Sequence, residues 1–312
     1  MSPALHADVW AAPLIVGTVL AVGAYLVAVL DAAATRVVAG TGLAPDVLIE
    51  PLRRAALLVV QQRVVTERPD AASWALAPAA YAGLAAAGLA VVPWSPSFSV
   101  ADVDAGIVVW GTVESLAVVA VFLHGWSPNS HQPLMAAYRY VAVGLSCLLV
   151  SMFVLIAVAL PAESLALNAI VDAQAGLWNV VRHPLGLPLF AVVALGITFW
   201  GPMDLADGAD LSGGTSAEAS GSQRLAWQGA RAAMLVSFAA LGSAAFLGGW
   251  HGPVLPGPVW MAAKTAALLA LLVAAGHLVA RVRAERFVTW CWTVLLPLAF
   301  LDLVVAGLGA LP

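Results

Sequence analysis

Eight stretches of this chain each run for about twenty residues with little but apolar side chains, the length that carries an α-helix through a bilayer. They cover 9–30, 74–93, 105–123, 134–160, 185–200, 225–249, 259–280 and 287–311. Hydrocarbon offers the backbone no hydrogen-bond partners, so a spanning segment must satisfy itself as a helix or a closed barrel. No ten-residue alternating pattern marks barrel strands, so the stretches read as helices. Composition agrees: 62% of residues are hydrophobic and 10% charged, where soluble domains carry about 25% charged residues. The expected fold is an all-α integral membrane protein, one polytopic domain over 1–312 with about eight transmembrane helices. The N-terminus lacks a basic region and a cleavage site, so the first stretch reads as a retained helix.

Basic residues set the expected orientation. Arg36, Arg53, Arg54, Arg63 and Arg68 follow the first stretch, and Arg139 opens the fourth. Arg224 and Arg231 follow the fifth, and Arg281, Arg283 and Arg286 follow the seventh. The opposite loops hold only Arg182. The positive-inside rule then puts both termini on the outer side and the loop at 201–224 on the cytoplasmic side. Trp10, Trp74, Trp94, Trp126, Trp200, Trp250 and Trp260 fall near the ends of stretches, as an interfacial belt would.

Two segments are amphipathic rather than spanning. Residues 46–68, with "DVLIEPLRRAALLVVQQRVV", mix an apolar face with Arg53, Arg54, Gln61, Gln62 and Arg63. They read as a helix at the cytoplasmic interface, either a brace or the mouth of a lipid-soluble ligand site. "LNAIVDAQAGLWNVVRH" reads as a shorter piece on the outer side.

Ionisable residues within spans are costly and are the first candidates for function. Glu114 sits mid-span, Asp31 ends the first span, Lys264 lies near the start of the seventh and Asp302 lies in the eighth. Glu114 reads either as a proton-relay member or as a neutral acid bonded to a neighbouring helix. Lys264 is placed to snorkel to the outer interface. Cys147 and Cys291 read as small hydrophobes, and His124, His131 and His183 as polar residues in or near loops. No glycine-rich nucleotide loop, Cys-x-x-Cys or metal-ligand spacing occurs. The loop "GPMDLADGADLSGGTSAEASGS" at 201–222 stands apart, with four carboxylates and no basic residue.

The order of motifs resembles the quinone-site membrane subunit of complex I, the H-type subunit of bacterial NADH-quinone oxidoreductase and subunit 1 in mitochondria. That family also includes the membrane anchor of energy-converting hydrogenases. "PDAASWALAP", "VVPW", "HGWSPNSHQPLMAAYR", "NAIVDAQ", "AAFLGGW", "VWMAAK", "RVRAERF" and "WTVLLPLAF" follow in the family's order over nearly the whole chain. In the acidic loop Pro202, Met203, Asp204 and Leu205 keep the family core, Asp207 and Asp210 fall where family glutamates lie, and Glu218, Ser220 and Gly221 keep its end. The chain also departs from the family. Ile197 and Leu148 stand where glutamates are usual, Trp200 for an arginine, Arg231 for a helix glutamate, and Ala32 and Ala33 for bases after Asp31. Glu114 has no placed counterpart.

The resemblance implies a membrane anchor in the bacterial inner membrane that docks a peripheral Fe–S arm and borders a quinone tunnel. The implied partners are that arm, antiporter-like membrane subunits and lipid, with no nucleic acid. Quinone would bind at the subunit interface, and the Fe–S clusters would belong to partners, with no cofactor, metal or catalytic residue in this chain alone. Asp31, Glu114, Asp204, Asp207, Asp210 and Glu218 become candidates for proton path or coupling. Arg139, Pro202, Met203, Arg281 and Arg283 become candidates for tunnel or docking. The departures leave proton translocation open, either retained or degenerate. Two alternatives stand beside this reading: a structural component of a hydrogenase-like complex without a quinone site, and a free-standing secondary transporter using Glu114.

Overall fold

The computed structural model describes residues 5–6, 11–96 and 98–309. Trp10 and both outer ends of the expected first and last spans lie outside these residues. In chain order the helices are α1 (Ala12–Val38), α2 (Glu50–Val60), α3 (Ala71–Ala90), α4 (Gly106–Trp126) and α5 (His131–Ala159). Three short helices follow: α6 (Leu167–Asp172), α7 (Asn179–Arg182) and α8 (Gly186–Ile197). The chain then forms α9 (Gly221–Phe246), α10 (Gly257–Leu278), α11 (Ala284–Trp290) and α12 (Leu296–Gly309). A π turn at Cys291–Leu295 joins the last two into one rod. Strand pairing among the described residues is limited to Leu5–His6 beside Phe98–Ser99 and one bridge from Ser95 to Phe98.

Among the described residues seven helices are long and apolar enough to cross a membrane: α1, α3, α4, α5, α9, α10 and the α11–α12 rod. The stretch expected as an eighth, 185–200, folds as α8, with only 12 helical residues. At 1.5 Å per residue α8 is about 18 Å long, against about 30 Å of hydrocarbon. It stops at Thr198 because Phe199 and Gly201 take positive φ, 40° and 59°, which turns the backbone out of the helix. The expected helix at 46–68 is also shorter. Only Glu50–Val60 is α-helical, and Gln61 is extended. Beyond it Val64 exchanges hydrogen bonds with the Ser220 hydroxyl, donating at 2.8 Å and accepting at 3.2 Å. Thr66 donates to the Pro128 carbonyl at 2.6 Å.

From Ala232 to Phe246 every residue of α9 is buried, with α1, α3, α8 and α10 packed around the helix. Between lipid-bathed helices the hydrophobic effect gives little, so close packing through small residues must hold them together. Gly23 of α1 admits Val236, whose methyls would lie 2.7 Å from an added Cβ. Gly88 of α3 admits Trp110, which meets Phe238 of α9 edge to face at 5.0 Å. Trp74 and Trp250, expected in an interfacial belt, are instead 1% and 5% exposed. They fill the helix junctions.

Lys264, placed by sequence to snorkel to the outer interface, is 7% exposed. Its ammonium turns in and donates to the carbonyls of Leu247 at 2.6 Å, Gly249 at 3.0 Å and His251 at 2.6 Å. The Trp178 ring lies 4.2 Å from the same nitrogen. All three ammonium donors thus cap the carbonyl end of α9, where the helix dipole favours a cation. Lys264→Met is expected to leave these carbonyls unpaired and to destabilise the protein by roughly 2–3 kcal/mol. A drop in the thermal midpoint in detergent checks it, and an unchanged midpoint refutes the capping role.

Candidate functional site

The link after α1, the α4–α5 turn, the acidic loop and the link after α10 converge at one end of the helix bundle. Asp70 N–H donates to the Ser127 carbonyl at 2.9 Å, and Val282 N–H to the Pro202 carbonyl at 3.0 Å. Two hydrogen-bonded acids position the loop at its outer edge. Asp210 accepts from Arg139 of α5 at 2.5 Å and from Arg281 at 2.8 Å. Glu218 accepts from the Ser130 hydroxyl at 2.7 Å. Asp210 is slightly buried, which works against its charge. The two guanidiniums outweigh this and hold its carboxyl below the usual carboxylate range.

Arg231 of α9 organises the inner edge. One guanidinium nitrogen donates to Asp207 at 2.8 Å and another to the Phe199 carbonyl at 2.5 Å, while the group lies 4.1 Å from the Phe199 ring centroid. The Asp207 side chain is 7% exposed and also accepts from the Thr215 and Ser216 hydroxyls. Asp204 stands further off, 3.8 Å from Arg231. Burial pushes its carboxyl above the usual range. Arg231 opposes that shift, and Asp207 adds to it.

Beside this loop a cleft of about 560 Å³ opens between α1, α2, α9 and α10. Ala24, Ala28, Leu52, Ala55 and Leu58 give it apolar walls. Asp31, His277, Asp204, Arg231 and Arg54 bring charge or acid–base chemistry to its lining. Asp31 faces His277 Nε2 at 3.0 Å. The loop can approach α10 this closely because Gly201 packs on Gly276, where an added Cβ would come within 2.6 Å of the Gly276 Cα.

Not all the residues singled out by sequence meet here. Asp31 and Asp204 line the cleft, and Asp204 and Asp207 line a second hollow of about 260 Å³ beneath the loop. Pro202 and Met203 are buried under the loop, while Arg283 is exposed at the start of α11. Glu114 lies elsewhere, buried on α4 and accepting from Trp110 Nε1 at 2.8 Å. His277 and the positive role of Arg231 were not anticipated. Arg224, Gln228 and Arg231 recur at helical spacing on the first half of α9, a signal for a polar face.

Two histidines assigned to loops are core residues. His124, on α4, is fully buried and stacks on Trp227 with centroids 3.7 Å apart. His183, also fully buried, pairs with Asp302 at 3.2 Å. The third, His131, is exposed at the start of α5. Among the described residues no group of three His, Cys, Asp or Glu side chains gathers closely enough to hold a metal ion.

A family model described as NADH dehydrogenase matches residues 12–307, which takes in every element of the loop and the cleft. The chain belongs to this family. It is 36% identical over 241 residues to the second H-type subunit of NADH-quinone oxidoreductase from Cereibacter sphaeroides, covering 76% of each chain. It is 33% identical over 241 residues to the first H-type subunit of the same enzyme from Rhodopseudomonas palustris, covering 77% of this chain and 75% of that one. The family match and the seven membrane-length helices together make this a multi-pass membrane protein of the complex I type.

Two outcomes test the loop's construction. Arg231→Leu leaves the Asp207 carboxylate buried without its cation, a loss of about 3 kcal/mol. Cleavage of the loop by added protease should speed up, and Asp207→Asn in the same chain should partly reverse this; unchanged protection refutes the pairing. For Asp210 the folded pKa is depressed, so its contribution is complete above the ordinary aspartate value of about 3.9 and is lost only as pH falls through the lower folded value. Loop protection should therefore match at about pH 6 and pH 8 but weaken in about 1 M salt, which screens exposed ion pairs.

Proposed function

We propose that this chain is the membrane anchor subunit of a complex I-like quinone oxidoreductase in the bacterial inner membrane. The loop end of the bundle faces the cytoplasm in this reading and carries the peripheral Fe–S arm. Antiporter-like subunits pack against the membrane faces. Quinone, the substrate of the assembly, passes through the cleft between α1, α2, α9 and α10. The observation that carries this reading is the cleft itself, with apolar walls suited to a lipid-soluble tail and a polar lining suited to a head group. The names of the relatives, which include quinone as acceptor, point the same way.

Within this reading the acids of the loop serve docking. Asp207 is paired with Arg231, Asp210 with Arg139 and Arg281, and Glu218 with Ser130. Asp210, whose carboxyl the two guanidiniums hold below the usual range, suits a fixed surface charge better than proton exchange.

A tagged copy of the chain expressed in its native host tests the assembly. Fe–S-containing and antiporter-like proteins are expected to co-purify, and the complex should reduce a short-chain benzoquinone. Recovery of the chain alone would sink the assembly reading. Ala28→Trp, which fills the cleft wall, should cut quinone turnover by about tenfold or more while the complex still assembles. Full turnover with the plug in place would assign quinone passage elsewhere.

A further inference from the structure

The chain has two cysteines, and the fold brings both to one place inside the bundle. Cys147 lies on α5, and Cys291 opens the π turn of the α11–α12 rod. They are 1% and 2% exposed, and the two thiols share a hydrogen bond. The packing around them fixes this meeting. Gly196 of α8 leaves room for the Cys147 sulfur, since an added Cβ would come within 2.6 Å of Sγ. The same point lies 3.6 Å from Cζ of Phe287, which is buried on α11. Residues four apart share a helix face, so Cys291 follows Phe287 onto the side of the rod that packs against α5.

Sulfur at both positions gives this contact a chemistry that two aliphatic side chains would lack. Two thiols within hydrogen-bonding reach can lose two hydrogens and close to a disulfide. The π turn that carries Cys291 is the one such turn among the described residues, and π turns inside helices often mark functional positions. The approach to the pair is from the lipid. Trp290 and Trp292, on either side of Cys291, are 43% and 53% exposed on the outer face of the rod. An apolar oxidant dissolved in the bilayer can come to this point, whereas a charged one is kept out by the cost of entering hydrocarbon.

We propose that Cys147 and Cys291 are a redox-active thiol pair within the membrane, which an apolar hydroperoxide oxidises to a disulfide that staples the rod to α5. Cys291, beside the lipid-facing tryptophans, attacks the peroxide. The O–O bond breaks, giving a sulfenic acid on Cys291 and an alcohol that carries away the thiol hydrogen. The Cys147 sulfur then attacks the sulfenic sulfur; the S–O bond breaks, the S–S bond forms, and the hydroxyl leaves as water with the second thiol hydrogen. Two thiols and one hydroperoxide thus give one disulfide, one alcohol and one water: the pair is oxidised by two electrons and the peroxide reduced by two. The bond would form beside the end of α8, so oxidation ties the rod, α5 and the break in α8 together. The inference stands apart from the cleft and from what passes through it.

The test uses the tagged full chain as it purifies, in lipid nanodiscs, with cumene hydroperoxide as the apolar probe. With two cysteines in the chain, a disulfide within it can join only this pair. The dose is raised until Met152, which is 51% exposed on α5, is converted to its sulfoxide, a sign that the probe has reached the membrane face. The chain is then denatured, alkylated, digested and mapped by mass spectrometry. A peptide pair joined through Cys147 and Cys291 is expected, with both thiols lost in step and both restored by dithiothreitol. In Cys147→Ser the reaction should stop at a sulfenic acid on Cys291, trapped by dimedone. Met152 oxidised while both thiols survive overturns the inference. So does oxidation of either cysteine to a sulfinic acid with no linked peptide, which would make the two thiols independent neighbours.

Discussion

The loop end of this protein depends on one guanidinium. Arg231 projects from α9 just before its fully buried half and reaches two parts of the chain that no regular element holds. It takes the Phe199 carbonyl, freed where α8 breaks, and the Asp207 carboxylate, which pulls in Thr215 and Ser216. A broken helix near hydrocarbon must find partners for its freed backbone groups within the protein. Arg231 supplies such a partner, and it stacks on the Phe199 ring whose backbone it satisfies. Helix break, buried acid and loop path are therefore one solution to one constraint.

The same rule governs the opposite end of α9. There the helix finishes at Phe246, and its last carbonyls and those just beyond face inward. Lys264 takes three of them, while Gln174 and Asn179 donate to Ala244 and Ala245 at 2.8 and 2.9 Å. The C-terminal end of the central helix is thus closed by side chains from other segments. Between the ends it packs through small residues. This explains how a helix rich in Ala, Gly and Ser can sit at the centre of the bundle: its specificity comes from polar closure at its C-terminal end and from close approach in the middle.

The membrane class was legible because apolar runs of about twenty residues have few alternatives in lipid. What sequence missed follows from tertiary partners. The run 185–200 is apolar throughout, yet where its helix stops is fixed by Phe199 and Arg231, 32 residues apart. His124 and His183 sit beside turn-like residues, but each is buried by an aromatic or acidic partner distant in sequence. Arg231 looked like the loss of a family glutamate. In the fold it is the gain of a counter-charge for Asp207, a fact visible only once the loop lies against α9. The cleft shows the same limit. Asp31 could be singled out as an acid at the end of a span, whereas His277 acquires its meaning only from facing Asp31 across 246 positions of sequence.

These pairings bear on whether charge could move inward from the loop. Tyr81 and Tyr140 are buried polar residues beside the break in α8. Both hydroxyls donate to one acceptor, the carbonyl of Ile197, at 3.0 and 2.6 Å. A relay needs each member to accept a proton as it gives one up. Two tyrosines fixed on a carbonyl satisfy that backbone group at the break in α8. Glu114, bonded to Trp110, lies beyond them on α4. Arg231 and the two tyrosines thus hold the break in α8 through two backbone carbonyls, those of Phe199 and Ile197.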